Sequence, residues 1–258
     1  MTPQPQPPEP TPPPLSIESQ PSAPETLSEM ARLSGVFLSP RKAFADIARR
    51  PRWLIPVLLL GIVSAVFITA YSQRVGWERI VRQQIEQSAR SDSMSAQQRE
   101  QAIAVGTAIA KSAGYGQVVI AVIAIVIIAA VLLFMTNTLM GAEIRFASMM
   151  GIVSYAFLPN LLVSALSMLV MYLKPPDDFD LRNPLMFNAG AFVASDAAQW
   201  LKALAASFDL FSFWIIALIA TGVSTAAPKI SFGKALTAVV FPWALFVGIR
   251  AAATAAFS

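Results

Sequence analysis

Long apolar runs separated by short polar gaps dominate this chain from residue 53 onward. Val118 to Met135 contains no polar residue at all. As a helix rising ~1.5 Å per residue, it nearly spans a hydrocarbon core of ~30 Å. A helix lying on a soluble core needs a polar face, and this stretch has none. Four other runs have similar length. The pattern predicts an all-α integral membrane bundle of five transmembrane helices: about Trp53–Tyr71, Val118–Met140, Ala147–Leu173, Leu210–Ala227 and Ala235–Phe257. An odd number of crossings puts the two termini on opposite sides.

The gaps between runs predict who neighbours whom. GAEIRF (141–146) joins spans two and three, and PKISFGK (228–234) joins spans four and five. Linkers this short force antiparallel neighbours. In the first of them Glu143 and Arg145 mark where the helices leave the bilayer, and a docking role for a cytoplasmic partner is the other reading. The two remaining loops, about 72–117 and 174–209, carry helical signals of their own. Trp77, Ile80, Val81 and Ile85 fall at helical spacing. Ser95-x-x-Gln98 fits a capping box for a second helix that stops near Gly114. A short helix through Trp200, Leu201 and Leu204 follows in the later loop.

Ahead of the first span, Ser39 can cap a helix with Pro40 at its first position, and Pro51 ends it. Ala43, Phe44 and Ile47 share one face, flanked by Arg41, Lys42, Arg49 and Arg50. A short basic amphipathic helix beside a span is expected in the headgroup interface, against anionic lipids of the bilayer. The alternative is a protein-docking surface. The first 25 residues hold ten of the nineteen prolines and few large apolar side chains. They predict a disordered cytoplasmic tail over about 1–30, acting as a tether or recruiting a Pro-binding module. Residues 31–258 then form the membrane domain. The first apolar run begins too late for a signal peptide.

Composition reinforces this reading. Charged residues make up 13% of the chain, about half the usual globular share of roughly 25%. With no Cys and no His, there is neither a disulfide framework nor the commonest metal ligand and neutral-pH base. Charge placement sets the orientation. With the N-terminus inside, the inner segments carry Arg32, Arg41, Lys42, Arg49, Arg50, Arg52, Arg145, Lys229 and Lys234 against Asp46 and Glu143. The expected location is a bacterial cytoplasmic (inner) membrane, crossed several times.

Polar and kinking residues within spans are the candidates for function. In span three Pro159 removes a ladder hydrogen bond, and Asn160 stands beside it. The pair can line a polar path, or it can be a packing kink with Asn160 bonded to a neighbouring helix. Span five holds Pro242 and Trp243, then Arg250, which either snorkels to the outer headgroups or pairs within the membrane, with Asp209 as the nearest partner. Asp177, Asp178 and Asp180 depart from the EF-hand pattern and read as a solvated turn. No phosphate loop or nucleophile elbow is present. A serine hydrolase built on Ser164 or Ser167 would need a lysine at membrane depth, and none is there.

Several stretches, in order, resemble the Yip family, the Ypt/Rab-interacting membrane proteins, in its bacterial form. FLSPRKAFADIARRPRWLIP carries Phe37, Ser39, Pro40, Phe44 and Pro51. GAEIRFASMMGIVSYAFLP carries Gly141, Phe146, Tyr155 and Pro159. LFSFWIIALIATGVSTAAPKISFGKALTAVVFPW carries Trp214, Gly222, Lys234, Pro242 and Trp243. The resemblance spans roughly residues 31 to 250 and implies a five-span bundle with a cytoplasmic N-terminus. Eukaryotic members are associated with Rab GTPases and vesicle traffic. The leading expectation is a non-enzymatic membrane organiser or scaffold, with membrane or cytoplasmic protein partners, a possible homo-oligomer and no cofactor, metal or nucleic acid. The alternative is a transporter or channel component with a polar path near Asn160 and Arg250.

Overall fold

The computed structural model describes residues 26–86, 93–181, 183–194 and 196–257. The Pro-rich stretch of 1–25 lies outside the described residues. Among the described residues ten α-helices follow in order: α1 Glu29–Leu38, α2 Pro40–Arg49, α3 Leu54–Arg74, α4 Trp77–Glu86, α5 Ala96–Leu133, α6 Phe146–Ala156, α7 Pro159–Leu173, α8 Gln199–Ala206, α9 Leu210–Ala226 and α10 Phe232–Phe257. Among the described residues four helical stretches are long and apolar enough to cross a membrane: Leu54–Arg74, Ala96–Thr138, Phe146–Leu173 and Phe232–Ala256. Helix α9 is equally apolar but has 17 residues, the lower end of the roughly 17–25 that a crossing needs. The chain is a helical membrane bundle.

Two elements differ from the expected pattern. Helix α1 precedes the predicted amphipathic helix, with Ser28 Oγ accepting from Ala31 N at 3.2 Å. Helical structure is therefore present before residue 31. The second difference is the length of α5. The capping box at Ser95 and Gln98 is present, but the helix does not stop at Gly114. It runs unbroken for 38 residues, about 57 Å at ~1.5 Å per residue. Gly114 serves a close approach instead, since a Cβ there would overlap the ring of Trp77 from α4. Helix α4 thus folds back along the first half of α5, held by Arg82 bridging Glu78 and Glu100 at 2.9 and 3.1 Å.

Two apolar clusters hold the bundle. The larger joins Ala43, Phe44 and Ile47 of α2 to the buried residues of α6 and α9, with Ala129 and Leu132 of α5 and Ala235 and Val239 of α10. Helix α6 is enclosed on all sides, with residues 148–156 all buried. The smaller cluster sits at the opposite end, where Tyr71 and Trp77 meet edge to face at 4.9 Å beside Met171 and Phe179. The surface along α5 and α10 stays apolar: Ile120, Ile123, Ile127, Phe241, Leu245 and Ile249 are exposed. In water such a surface would mark an interface; around a membrane bundle it faces lipid.

The GAEIRF turn is more closely built than its length suggests. Helix α5 ends in a π-helical turn, Phe134–Thr138, and Gly141 takes a φ of +67°, which L side chains adopt with strain. The side chain of Asn137 reads the strand-like segment beyond. Its Nδ2 donates to Ile144 O at 2.9 Å, and its Oδ1 accepts from Ile144 N at 3.2 Å. Ala142 and Ile144 point inward, while Glu143 and Arg145 are exposed.

Candidate functional site

Helices α1 and α2 form an antiparallel hairpin packed against α6 and α9. The expected face of α2 is the buried one: Ala43, Phe44 and Ile47 have no measurable exposure. That face meets protein and not lipid. Phe44 lies against Gly222 of α9 beside Ile152 of α6, where a side chain on residue 222 would overlap Ile152 and crowd Phe44. Ile47 and Pro51 lie against Gly151. Between the helices, Phe37 meets Trp214 edge to face at 5.7 Å. Burying the face in protein satisfies the same apolar drive that the headgroup interface would have satisfied.

A polar network fastens the hairpin. Arg32, 2% exposed, donates from Nε to Asp46 Oδ2 at 2.6 Å, and Asp46 is 3% exposed. The Arg32 Nη1 donates to Glu29 Oε1 at 2.9 Å. Arg52 donates to the same oxygen at 3.0 Å. The hydroxyl of Tyr155, on the buried α6, donates to Glu29 Oε2 at 2.8 Å. Burial opposes the Arg32 charge, but the hydrogen bond and field of Asp46, with Glu29 behind it, hold the guanidinium above its ordinary value. At the same C-terminal end of α2, the last turn's carbonyls have no partner within the helix. Ser148 Oγ donates to Ala48 O at 2.7 Å, and Arg145 Nη2 stands 3.5 Å from Arg49 O.

Of the residues singled out in the sequence, Tyr155 enters this network, and Arg145 approaches the end of α2. Arg41, Lys42, Arg49 and Arg50 are exposed on the side of α2 away from the bundle. Glu143 faces Lys229 of the other short turn at 3.9 Å, both largely exposed. Pro159 breaks span three: α6 ends at Ala156 and α7 starts with the proline in its first turn. Leu158 N bonds to Tyr155 O at 3.1 Å across the break. Asn160 is not bonded to a neighbouring helix among the described residues. It lines a cavity of about 250 Å³ with Asp209, and Arg250 is not among its walls. Asp209 accepts from the backbone of Phe211 and Ser212, and no ion pair links it to Arg250 among the described residues. Arg250 is exposed on α10. Pro242 sits inside α10 without ending it, and Trp243 packs with Phe208 and Phe213 at 5.7 and 5.9 Å.

Glu29, Arg32, Asp46, Ser148 and Asn137 were not recognised in the sequence as site residues. Arg32 and Asp46 counted there only as charge, and Glu29 fell within the stretch expected to be a disordered tail. Asn137 had a visible signal, a polar TNT triplet closing an apolar run just before a turn.

An all-helical bundle with an ordered hairpin sealed to its spans by a buried ion-pair network is an integral membrane protein with a built platform at one end. The model of the Yip1 domain matches residues 34–253, a range that contains the end of α1, all of α2 through α9 and most of α10. The chain belongs to the Yip1 domain family. No curated protein and no solved structure matches it.

Proposed function

We propose that this Yip-family protein is a non-enzymatic organiser or scaffold whose working surface is the cationic face of the α1–α2 platform. One observation carries the reading: α2 commits its apolar face to α6 and α9 and turns Arg41, Lys42, Arg49 and Arg50 outward. Arg52, Arg145, Lys229 and Lys234, from segments at the same end, are exposed as well. The acids Asp46 and Glu29 are drawn inward by Arg32, leaving the outer surface positive. In the charge-based orientation this surface meets the inner leaflet of a bacterial cytoplasmic membrane. Anionic headgroups attract such residues by about 1 kcal/mol each near the surface, and an acidic face on a protein partner offers the same complement. The network beneath is internally satisfied, so its geometry suits fastening and not turnover.

The test is mild-detergent purification after crosslinking in intact cells, followed by mass spectrometry of retained lipids and proteins. The wild type should keep anionic lipid or a stoichiometric partner. Changing Arg41, Lys42, Arg49 and Arg50 together to Gln should release it. Equal retention by both, or robust solute flux through the reconstituted protein, would contradict the proposal.

A further inference from the structure

The α1–α2 hairpin reaches far along the bundle. Three ring contacts join its tip to the loop before α9: Phe37 to Trp214 at 5.7 Å, Trp214 to Phe211 at 6.4 Å and Phe211 to Phe187 at 6.3 Å. Phe37 and Phe187 are therefore at most about 18 Å apart, against a hydrocarbon core of ~30 Å. Each end of this chain of rings meets exposed non-helical backbone, Ser39 at the hairpin turn and Met186 and Phe187 in the loop. Lipid-exposed backbone of that kind does not occur within hydrocarbon. Three spans lie between the two segments in sequence, Leu54–Arg74, Ala96–Thr138 and Phe146–Leu173. The segments thus belong to opposite faces of the membrane, whichever way the protein is oriented.

The charges follow the same geometry. Phe37 meets Trp214 and Phe44 meets Gly222, two points about 12 Å apart along α9. Arg41 and Lys42 fall between Phe37 and Phe44 in the hairpin, and both are exposed. They stand beside the middle of α9, itself a short crossing helix of 17 residues. A cation at that depth is costly in hydrocarbon unless water or headgroups reach it. We propose a further activity, which takes its cations from the surface described above. The protein thins the bilayer beside α2 and α9 and passes phospholipid headgroups between the leaflets, with Arg41 and Lys42 guiding the phosphates. Exchange of this kind runs both ways to equilibrium and needs no nucleotide, in keeping with a chain that has no phosphate loop.

The experiment reconstitutes the full chain in phosphatidylcholine vesicles with trace NBD-labelled phosphatidylglycerol in both leaflets, then adds dithionite outside. Protein-free vesicles protect the inner half of the label, and vesicles holding the protein should lose nearly all of it. Trapped NBD-glucose should stay protected, which separates lipid exchange from leakage. Arg41→Leu with Lys42→Leu lets hydrocarbon close over the hairpin tip and should slow exchange about tenfold, two headgroup contacts being lost. Nitroxides on Ser39→Cys and Met186→Cys give a readout besides activity. Both should meet a water-soluble nickel complex, and their mutual distance should fall below the ~30 Å of the core. Half the label protected by a folded protein, bleached NBD-glucose, or exchange unaffected by the double substitution overturns the proposal. Anionic lipid retained without exchange overturns it alone and leaves the cationic-surface reading standing. Exchange with neither lipid nor partner retained sinks that reading and keeps the activity.

Discussion

Arg32 and Asp46 are fourteen positions apart in sequence and 2.6 Å apart in space. Neither is visible as a pair in one sequence, because each sits among surface-type neighbours and the partner helix α1 has weak signals. Gly35 inside it lowers its helical propensity by about 1 kcal/mol relative to Ala. Removing one member of a buried pair leaves the other charge uncompensated, at about 3–5 kcal/mol. Arg32→Met should therefore lower stability by that order, and Asp46→Leu by a similar amount. The double substitution should recover much of the loss, since an apolar pair of similar size needs no desolvated charge. Thermal unfolding of the three variants in mild detergent completes the double-mutant cycle. Additive losses would mean the two charges do not act on each other. Tyr155 illustrates the opposite case: its family-like setting marked it in the sequence, but its partner Glu29 was legible only in the folded chain.

Among the elements, the spans and the basic helix were readable because apolar length and helical spacing are local properties. Stops were less so. Gly114 has the signature of a helix end, yet tertiary packing by Trp77 overrides it and α5 continues. Likewise, the amphipathic face of α2 says that Ala43, Phe44 and Ile47 are buried, but not in what. Lipid and protein reward the same pattern, and only the small residues facing it, Gly151 and Gly222, decide in favour of protein. Gly222→Val tests that contact. A branched side chain there overlaps Phe44 and Ile152, and overpacking of this kind costs about 1–3 kcal/mol. The expected result is faster tryptic cleavage after Arg49 and Arg52 with the spans intact. Cleavage at the wild-type rate would show that α2 does not rest on α9.

For the molecule as a whole, charge asymmetry and short turns imply an orientation that geometry alone does not carry. A periplasmic reporter fused after Ser258 should be active, and one inserted between Glu143 and Arg145 silent; the reverse pair would invert every assignment of inner and outer face. The platform itself is independent of that outcome, because it rests on contacts between α2 and the bundle. Its most direct test uses the absence of cysteine from the chain. A Cβ on residue 151 would stand 3.0 Å from Ile47 Cγ2, close to the spacing of a disulfide's Cβ and far sulfur. Ile47→Cys with Gly151→Cys, oxidised in intact membranes, should form a bridge spontaneously. Fragments cut by trypsin between the two positions should then stay joined until reduced. Fragments that separate without reductant, from a chain that is otherwise folded, would show α2 lying away from α6 and would contradict the platform.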